Sequence, residues 1–296
     1  MSDFIVQDSR RQLWIVISVT FAAFMAALDT YIVNVALPTI AVDLNVDPTD
    51  AALITLVYLL VITSTLLIFG KVGERSGFKI IFTAGFAIFA GGSLLSGLAH
   101  SLELLVGARC IQGLGAAMLY AVGMAMIIRY IPPERRGWAF GITSTGAGLG
   151  VIVGAPMGGF ITQYLDWHWI FLINVPVGII AIIVALWVMP NDRVRLPAGS
   201  RQPPFDYAGA VMSVIALALL VMAINRGQQF GWNHWGIYGS FIVSAALFVL
   251  FIWWEKKCRD PLLDLSLYKY ASFAFGSFAA LAAWSMYAGG NFLFPF

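Results

Sequence analysis

The stretch Leu13–Leu37 reads LWIVISVTFAAFMAALDTYIVNVAL, and it decides the fold. It runs for about 25 mostly apolar positions, enough for a helix to cross a hydrocarbon core roughly 30 Å thick. A secretory signal core is shorter, roughly 7–15 residues, so Arg10 and Arg11 ahead of this run do not make it a cleavable leader. One acid, Asp29, interrupts the run.

Eight more runs of the same kind follow, and together the nine are Leu13–Leu37, Ala51–Phe69, Ile80–Ala99, Leu104–Ile128, Ala139–Thr162, Ile170–Met189, Ala208–Ile224, Ile237–Trp254 and Phe273–Pro295. Pro, Asp and basic clusters bound them and read as helix stops. Membrane-barrel strands alternate apolar and polar residues, and these runs do not. The fold class is therefore an all-α membrane protein, a polytopic helix bundle with nine predicted spans. Composition agrees: 60% of the 296 residues are hydrophobic and 11% charged, against roughly 45–50% and about 25% in soluble domains. A soluble enzyme, a disordered chain and a disulfide-rich secreted module are excluded. A net charge of +2 carries no signal for nucleic acid.

Lys and Arg placement orients the chain. With the N-terminus in the cytoplasm, inside segments hold Arg10, Arg11, Lys71, Arg75, Lys79, Arg129, Arg135, Arg136, Arg193, Arg195, Arg201, Lys256, Lys257, Arg259 and Lys269, fifteen of the seventeen basic residues. Outside loops hold only Arg226, and Arg109 lies within the fourth span. This is the positive-inside rule applied loop by loop, and it places a multi-pass protein in the cytoplasmic membrane with its N-terminus inside. Nine of the ten Trp lie at or near helix ends, Trp284 excepted. The expected organisation is a six-helix bundle over 1–190, a linker over 191–206, two additional spans over 207–256, and over 257–296 a loop with the first helix of an incomplete second bundle. The abrupt final Asn291–Phe296 reads as the end of an N-terminal part of a longer protein or of a truncated product.

Asp29 is the one acid well inside a span. A carboxylate there costs at least about 2.5–3.5 kcal/mol, so it faces a bundle interior or a water cavity. Ala22, Ala26, Val33 and Ala36 share its helical face and leave room beside it. It reads as a protonatable coupling group, or as a structural partner of a buried base. Arg109 is the base at similar depth, seven residues from Leu102 as Asp29 is nine from Pro38. An opposite charge favours the ionised acid and burial the neutral one, so such a carboxyl is poised to bind and release a proton. Whether the two pair directly stays open.

In the fifth span Gly146, Gly150, Gly154 and Gly158 recur every fourth residue and share one face, which permits very close helix approach. Pro156 should bend that helix. The face reads either as static packing or as a seam that slides between two states. The loop Gly70-Lys-Val-Gly-Glu-Arg-Ser-Gly-Phe-Lys79 places Gly70, Gly73 and Gly77 for a tight turn. Glu74 stands among Lys71, Arg75 and Lys79; the loop reads either as a latch from Glu74 to Arg129 or a helix N-terminus, or as an inside loop that simply obeys the charge bias. No GxxxxGK[ST] phosphate loop occurs. His100, His168 and His234 lack metal-ligand spacing, no nucleophile–base pair suggests hydrolysis, and no cofactor is expected.

At these residues the chain resembles the major facilitator superfamily, and within it the fourteen-helix drug:proton antiporters of the EmrB/QacA type. Gly70–Lys79 is similar to the superfamily loop signature, with Glu74 where Asp is usual and Phe78 where a base is usual. Leu28–Pro38 resembles the antiporters' first-helix signature. Arg109-Cys-Ile-Gln-Gly-Leu-Gly115 resembles the fourth-helix motif whose Arg takes part in proton transfer. Gly150–Gly159, with Gly154, Ala155, Pro156, Gly158 and Gly159, is similar to the antiporter motif of helix five. Trp167–Gly178 matches a further marker, with His168 in place of Arg. The resemblance implies the major facilitator fold, set in the lipid bilayer, and alternating-access export, driven by protons, of small hydrophobic, often cationic compounds. Asp29 and Arg109 would couple the proton, Gly70–Lys79 would form the gate, and an outer membrane-fusion accessory protein is compatible. Export of tetracycline-like compounds or a metabolite, or a truncated non-transporting form, are the alternatives.

Overall fold

The computed structural model describes residues 5–192 and 203–293, with side chains at 228, 284 and 287–293 excepted. The described residues are helical, and eight helices or helix pairs are long and apolar enough to cross a membrane. α1 is Ser9–Asp43, α2 Pro48–Ala51, α3 Leu53–Ser76, α4 Phe78–Ser96, α5 Leu102–Tyr130, α6 Pro133–Tyr164, α7 Trp169–Leu172 and α8 Asn174–Val188. α9, Tyr207–Phe230, and α10, Trp235–Glu255, pack against each other, and α11, Ala271–Leu293, closes the described chain. The ninth predicted run falls on α11, where the described apolar stretch is Ala271–Ala283. Its Pro295 end, the final Phe294–Phe296, Arg193, Arg195, Arg201 and most of the predicted 191–206 linker lie outside the described residues, as does the Trp284 side chain.

Two helix boundaries depart from the sequence reading. Pro38 does not stop α1, which continues to Asp43. Proline is tolerated inside membrane helices because neighbouring groups take up the freed carbonyl. The Gly70–Lys79 segment is not an open loop either: α3 runs through Gly70 and Gly73 to Ser76, and only Gly77, at φ 99°, turns the chain into α4. Gly73 serves packing, since a side chain there would meet Val122 Cγ1 at 2.7 Å. Pro156 lies inside α6 without interrupting it.

α1 packs mainly along α6, α4 lies between α5 and α8, α3 leans on α5, and the α9–α10 pair docks on α3. Two apolar cores result. One gathers Ile15, Val16, Val19, Met25, Phe82, Phe86, Phe89, Val122 and Met126 toward the end that holds Gly77. The other gathers Leu28, Ile32, Val33, Ile40, Ile54, Leu105, Ile170 and Phe171 toward the opposite end. Between them α1, α4, α5 and α8 each contribute a polar side chain, and that layer is the candidate site.

Candidate functional site

Asp29 and Arg109 meet in this layer. Arg109 Nη1 donates to Asp29 Oδ2 at 2.6 Å, and both side chains have no exposure to solvent. Small residues on α1 make the room: Ala22, Ala26, Val33 and Ala36 are all buried on the Asp29 face. The other carboxylate oxygen is held by neutral donors. Gln112 Nε2 donates to Asp29 Oδ1 at 2.8 Å and Asn174 Nδ2 at 3.1 Å. Both amides also reach Ser93 Oγ, at 2.6 and 3.2 Å. The Gln112 carbonyl oxygen accepts from Arg109 Nη1 at 2.6 Å. The guanidinium carbon lies over the Tyr58 ring, 3.9 Å from its centroid, and Nε donates to the Ile54 carbonyl at 3.4 Å.

A buried ion pair survives only when geometry and further hydrogen bonds offset the loss of water. Here the acid accepts three donors from two other helices, and the base has a carboxylate, an amide oxygen, a backbone carbonyl and an aromatic face. The carboxylate is thereby joined to α5 and α8. A change in its charge alters the pull between three helices at once.

Sequence reasoning singled out both residues, left their direct pairing open, and missed the groups that hold them. Gln112 sits one helical turn after Arg109 on the same face, inside the stretch Arg109–Gly115. Asn174 opens α8 within the Trp167–Gly178 stretch. Ser93 is one of two serines in its apolar run, with nothing to single it out from Ser96 before the fold is known.

The glycine face of α6 is laid against α1, the helix that carries Asp29. A side chain at Gly150 would meet Phe24 O at 2.5 Å and Leu28 N at 3.0 Å. One at Gly154 would meet Tyr31 Cβ at 2.9 Å, and one at Gly158 would meet Ile32 O at 2.8 Å. Gly146 packs on Thr20. Gly159 is not part of this face and looks onto open space, as its offset of one residue requires. A second close seam, which the sequence analysis did not single out, joins α4 to α5. There a side chain at Gly92 would meet Gln112 N at 2.5 Å, and one at Gly85 would meet Gly115 O at 3.2 Å.

At the turn between α3 and α4, Glu74 is exposed, and a different acid holds the α4 N-terminus. Asp192, just beyond α8, accepts from Phe78 N at 2.8 Å and from Lys79 N at 3.2 Å. Lys79 returns the contact: its Nζ donates to the Leu186 and Met189 carbonyls at 2.7 and 3.0 Å, where α8 ends. Arg75 and Lys71 reach out of the bundle to Asp260, with Arg75 Nη1 at 3.6 Å, and Arg75 stacks over Phe205 at 5.7 Å. Gly70 has open space beside it. Among the described residues no group of three or more His, Cys, Asp or Glu is placed to hold a metal ion.

Fold and site together define a multi-pass membrane protein organised around an ion pair buried between its helices. The chain belongs to the Major Facilitator Superfamily, whose profile matches residues 19–295, a family of transporters rather than enzymes. It is 35% identical over 275 residues to MdtD of Yersinia enterocolitica, which its name assigns provisionally to multidrug resistance; 93% of this chain and 56% of that protein are covered. MdtD of Salmonella paratyphi A is 33% identical, with 93% and 57% covered. The riboflavin transporter RibZ of Clostridioides difficile is 32% identical over 287 residues, with 97% of this chain and 61% of that protein covered. The chain thus spans little more than half the length of these relatives.

Proposed function

We propose that this chain is the N-terminal portion of a proton-coupled exporter of small hydrophobic, often cationic compounds that works by alternating access in the cytoplasmic membrane. Residues 1–190 form its first six-helix bundle, 191–206 a cytoplasmic linker, 207–256 two additional spans, and 257–296 the loop and first helix of a second bundle. The observation that carries the reading is the buried Asp29–Arg109 pair, held at 2.6 Å between helices. A charge pair is an expensive way to join helices in a membrane, and its charge can be changed by one proton. Protonation of Asp29 removes the acid's charge and leaves Arg109 to Gln112, Ile54 and Tyr58, which weakens the tie between α1 and α5. α1 then moves against the glycine face of α6, which puts no side chain of its own at 146, 150, 154 or 158 in the way. The Gly77 turn, pinned to α8 by Asp192 and Lys79, closes the inner end.

The names of the MdtD relatives support a drug-like substrate, and an outer accessory protein is compatible with it. The name of RibZ favours a second reading, in which the cargo is a planar metabolite. The test is substrate-driven proton release from proteoliposomes of the full-length protein. Wild type releases protons with drug; Asp29→Asn, which removes titration but keeps size and hydrogen bonding, releases none. Equal release by both places the coupling acid elsewhere. Response to a flavin and not to drugs selects the second reading.

A further inference from the structure

Asp206 and Glu255 bring two buried carboxyl groups together where α9 begins and α10 ends. Asp206 is 5% exposed and Glu255 3%. One oxygen of each is satisfied. Asp206 Oδ1 accepts from Gly209 N at 2.9 Å, as the cap of α9, and from Trp254 Nε1 at 2.8 Å. Glu255 Oε2 accepts from Leu263 N at 3.4 Å. The other two, Asp206 Oδ2 and Glu255 Oε1, are buried with no hydrogen-bond partner. Both point at one spot, the place a side chain on Gly209 would fill: Glu255 Oε1 is 2.9 Å from that position and Asp206 Oδ2 closer still. Glycine at 209 leaves the gap between them open.

Two ionised carboxylates cannot face each other across such a gap without a cation or a proton. We propose that Asp206 and Glu255 share one proton, an O–H···O⁻ bond that pins the start of α9 to the end of α10. Helix dipoles decide where it resides. Asp206 caps an N-terminus, where negative charge is favoured; Glu255 is the last residue of α10, where negative charge is opposed. Glu255 carries the proton and donates to Asp206 Oδ2. Lys71 of α3 is the cation whose charge reaches Glu255, and it also pairs with Asp260 of the segment after α10, as Arg75 does. On the far side of the α10 end Lys256 is exposed and Lys257 lies over the Trp253 ring at 3.6 Å. Loss of the proton sets two like charges against each other and draws Lys71 from Asp260. The start of α9 then parts from the end of α10, and the segment after α10 loses a tie to α3.

The sign follows from linkage. A proton bound more tightly in the folded state adds stability at low pH that is lost as pH rises through the pair's own titration. The chain has four glutamates, and Glu74, Glu103 and Glu134 are exposed. Infrared spectra of the whole chain in detergent, labelled with carboxyl-13C glutamate, should therefore show at about pH 7 a protonated-acid stretch that shifts with the label and fades as pH rises. Exposed glutamates are fully ionised there. Glu255→Gln keeps a donor toward Asp206 and should abolish that band while flattening the fall in melting temperature between about pH 6 and about pH 9. Absence of a labelled acid band from wild type overturns the proposal, and a sodium-dependent melting temperature would then assign the gap to a cation. A band that persists in Glu255→Gln overturns it equally. The wild-type spectrum decides the matter even if the variant does not fold.

Discussion

Arg109 Nη1 lies 2.6 Å from Asp29 Oδ2 with both side chains sealed from solvent, and the two neutral amides of Gln112 and Asn174 complete the carboxylate's shell. The arrangement makes the two partners unequal under substitution. Arg109→Ala leaves a carboxylate buried without a counter-charge, at a cost of about 3–5 kcal/mol. Asp29→Asn strands the Arg109 charge as well, since a guanidinium cannot lose its proton, but leaves it an amide oxygen, a backbone carbonyl and an aromatic face. The expected outcome is poor yield and a much lower melting temperature for Arg109→Ala. Asp29→Asn should remain well expressed, and Asp29→Asn with Arg109→Ala should recover part of the loss. Thermal melts of detergent-purified variants check the order, and equal damage from both single changes would contradict it.

Gly150→Leu and Gly154→Leu place bulk where α6 meets α1. The nearest atoms are Phe24 O, 2.5 Å from the Gly150 position, and Tyr31 Cβ and Leu28 O, 2.9 and 3.1 Å from the Gly154 position, and neither backbone nor a Cβ can rotate away. Each change should cost at least about 1–3 kcal/mol and abolish transport by the full-length protein. Gly159→Leu, beside open space, is the control and should be tolerated. Melting temperature and transport are measured together. Normal behaviour of both face variants would place the seam elsewhere.

Much of this was written in the sequence because a membrane permits few solutions. An apolar run of about 25 residues can only be a spanning helix, and an acid inside one must turn inward. The glycine period likewise fixes a face. The misreadings have physical causes. Pro38 is a stop signal in water, yet inside a protein-packed helix the lost hydrogen bond is tolerated, so α1 runs on to Asp43. Gly70 and Gly73 look like turn glycines, but Gly73 is small because Val122 and Phe78 press on it. Glu74, within the loop, was one candidate partner for Arg129 or for a helix N-terminus. Asp192 holds the α4 N-terminus instead, more than 100 residues away, and no local pattern marks a contact of that range. Ser93 was invisible for the same reason.

Asp166, between α6 and α7, gives a pH prediction at the end opposite Gly77. The His168 backbone N–H, and then its ring, hold the Asp166 carboxyl below its ordinary value. A depressed value contributes stability above the usual carboxylate range and loses it as pH falls through the folded-state value. Its side chain is 60% exposed, so screening limits the effect to about 0.5 kcal/mol. Melting temperature should fall slightly more between about pH 5 and about pH 3 in wild type than in Asp166→Asn, and identical slopes would remove the contact from consideration.

Orientation is open to a direct chemical test. Cys110 and Cys258 are free thiols, and Cys110 lies mid-helix in α5 while Cys258 follows α10. In intact cells expressing Cys110→Ser, a permeant thiol reagent should label Cys258 and an impermeant one should not until the cells are opened. Labelling from outside reverses the topology and with it the assignment of the Gly77 turn to the cytoplasm.

The clasp at that turn is reciprocal, and its two halves should fail differently. Asp192 caps the first N–H groups of α4, while Lys79 caps the last carbonyls of α8. Removing a helix cap costs about 0.5–2 kcal/mol, so Asp192→Ala should destabilise by that amount, and Asp192→Asn, which still accepts from an N–H, by less. Lys79→Met keeps the stem but loses the charge at a helix C-terminus, worth about 0.3–1 kcal/mol. Gly77→Ala is the most severe, since φ of 99° strains any L side chain and its Cβ would stand 3.0 Å from Asp192 Oδ1. Because the strain and the crowding both fall on the segment Asp192 must reach, Asp192→Ala should relieve part of the Gly77→Ala penalty. A double-mutant cycle on melting temperature reads that coupling. Strict additivity of the two changes would mean that Asp192 and the Gly77 turn are neighbours without a functional link.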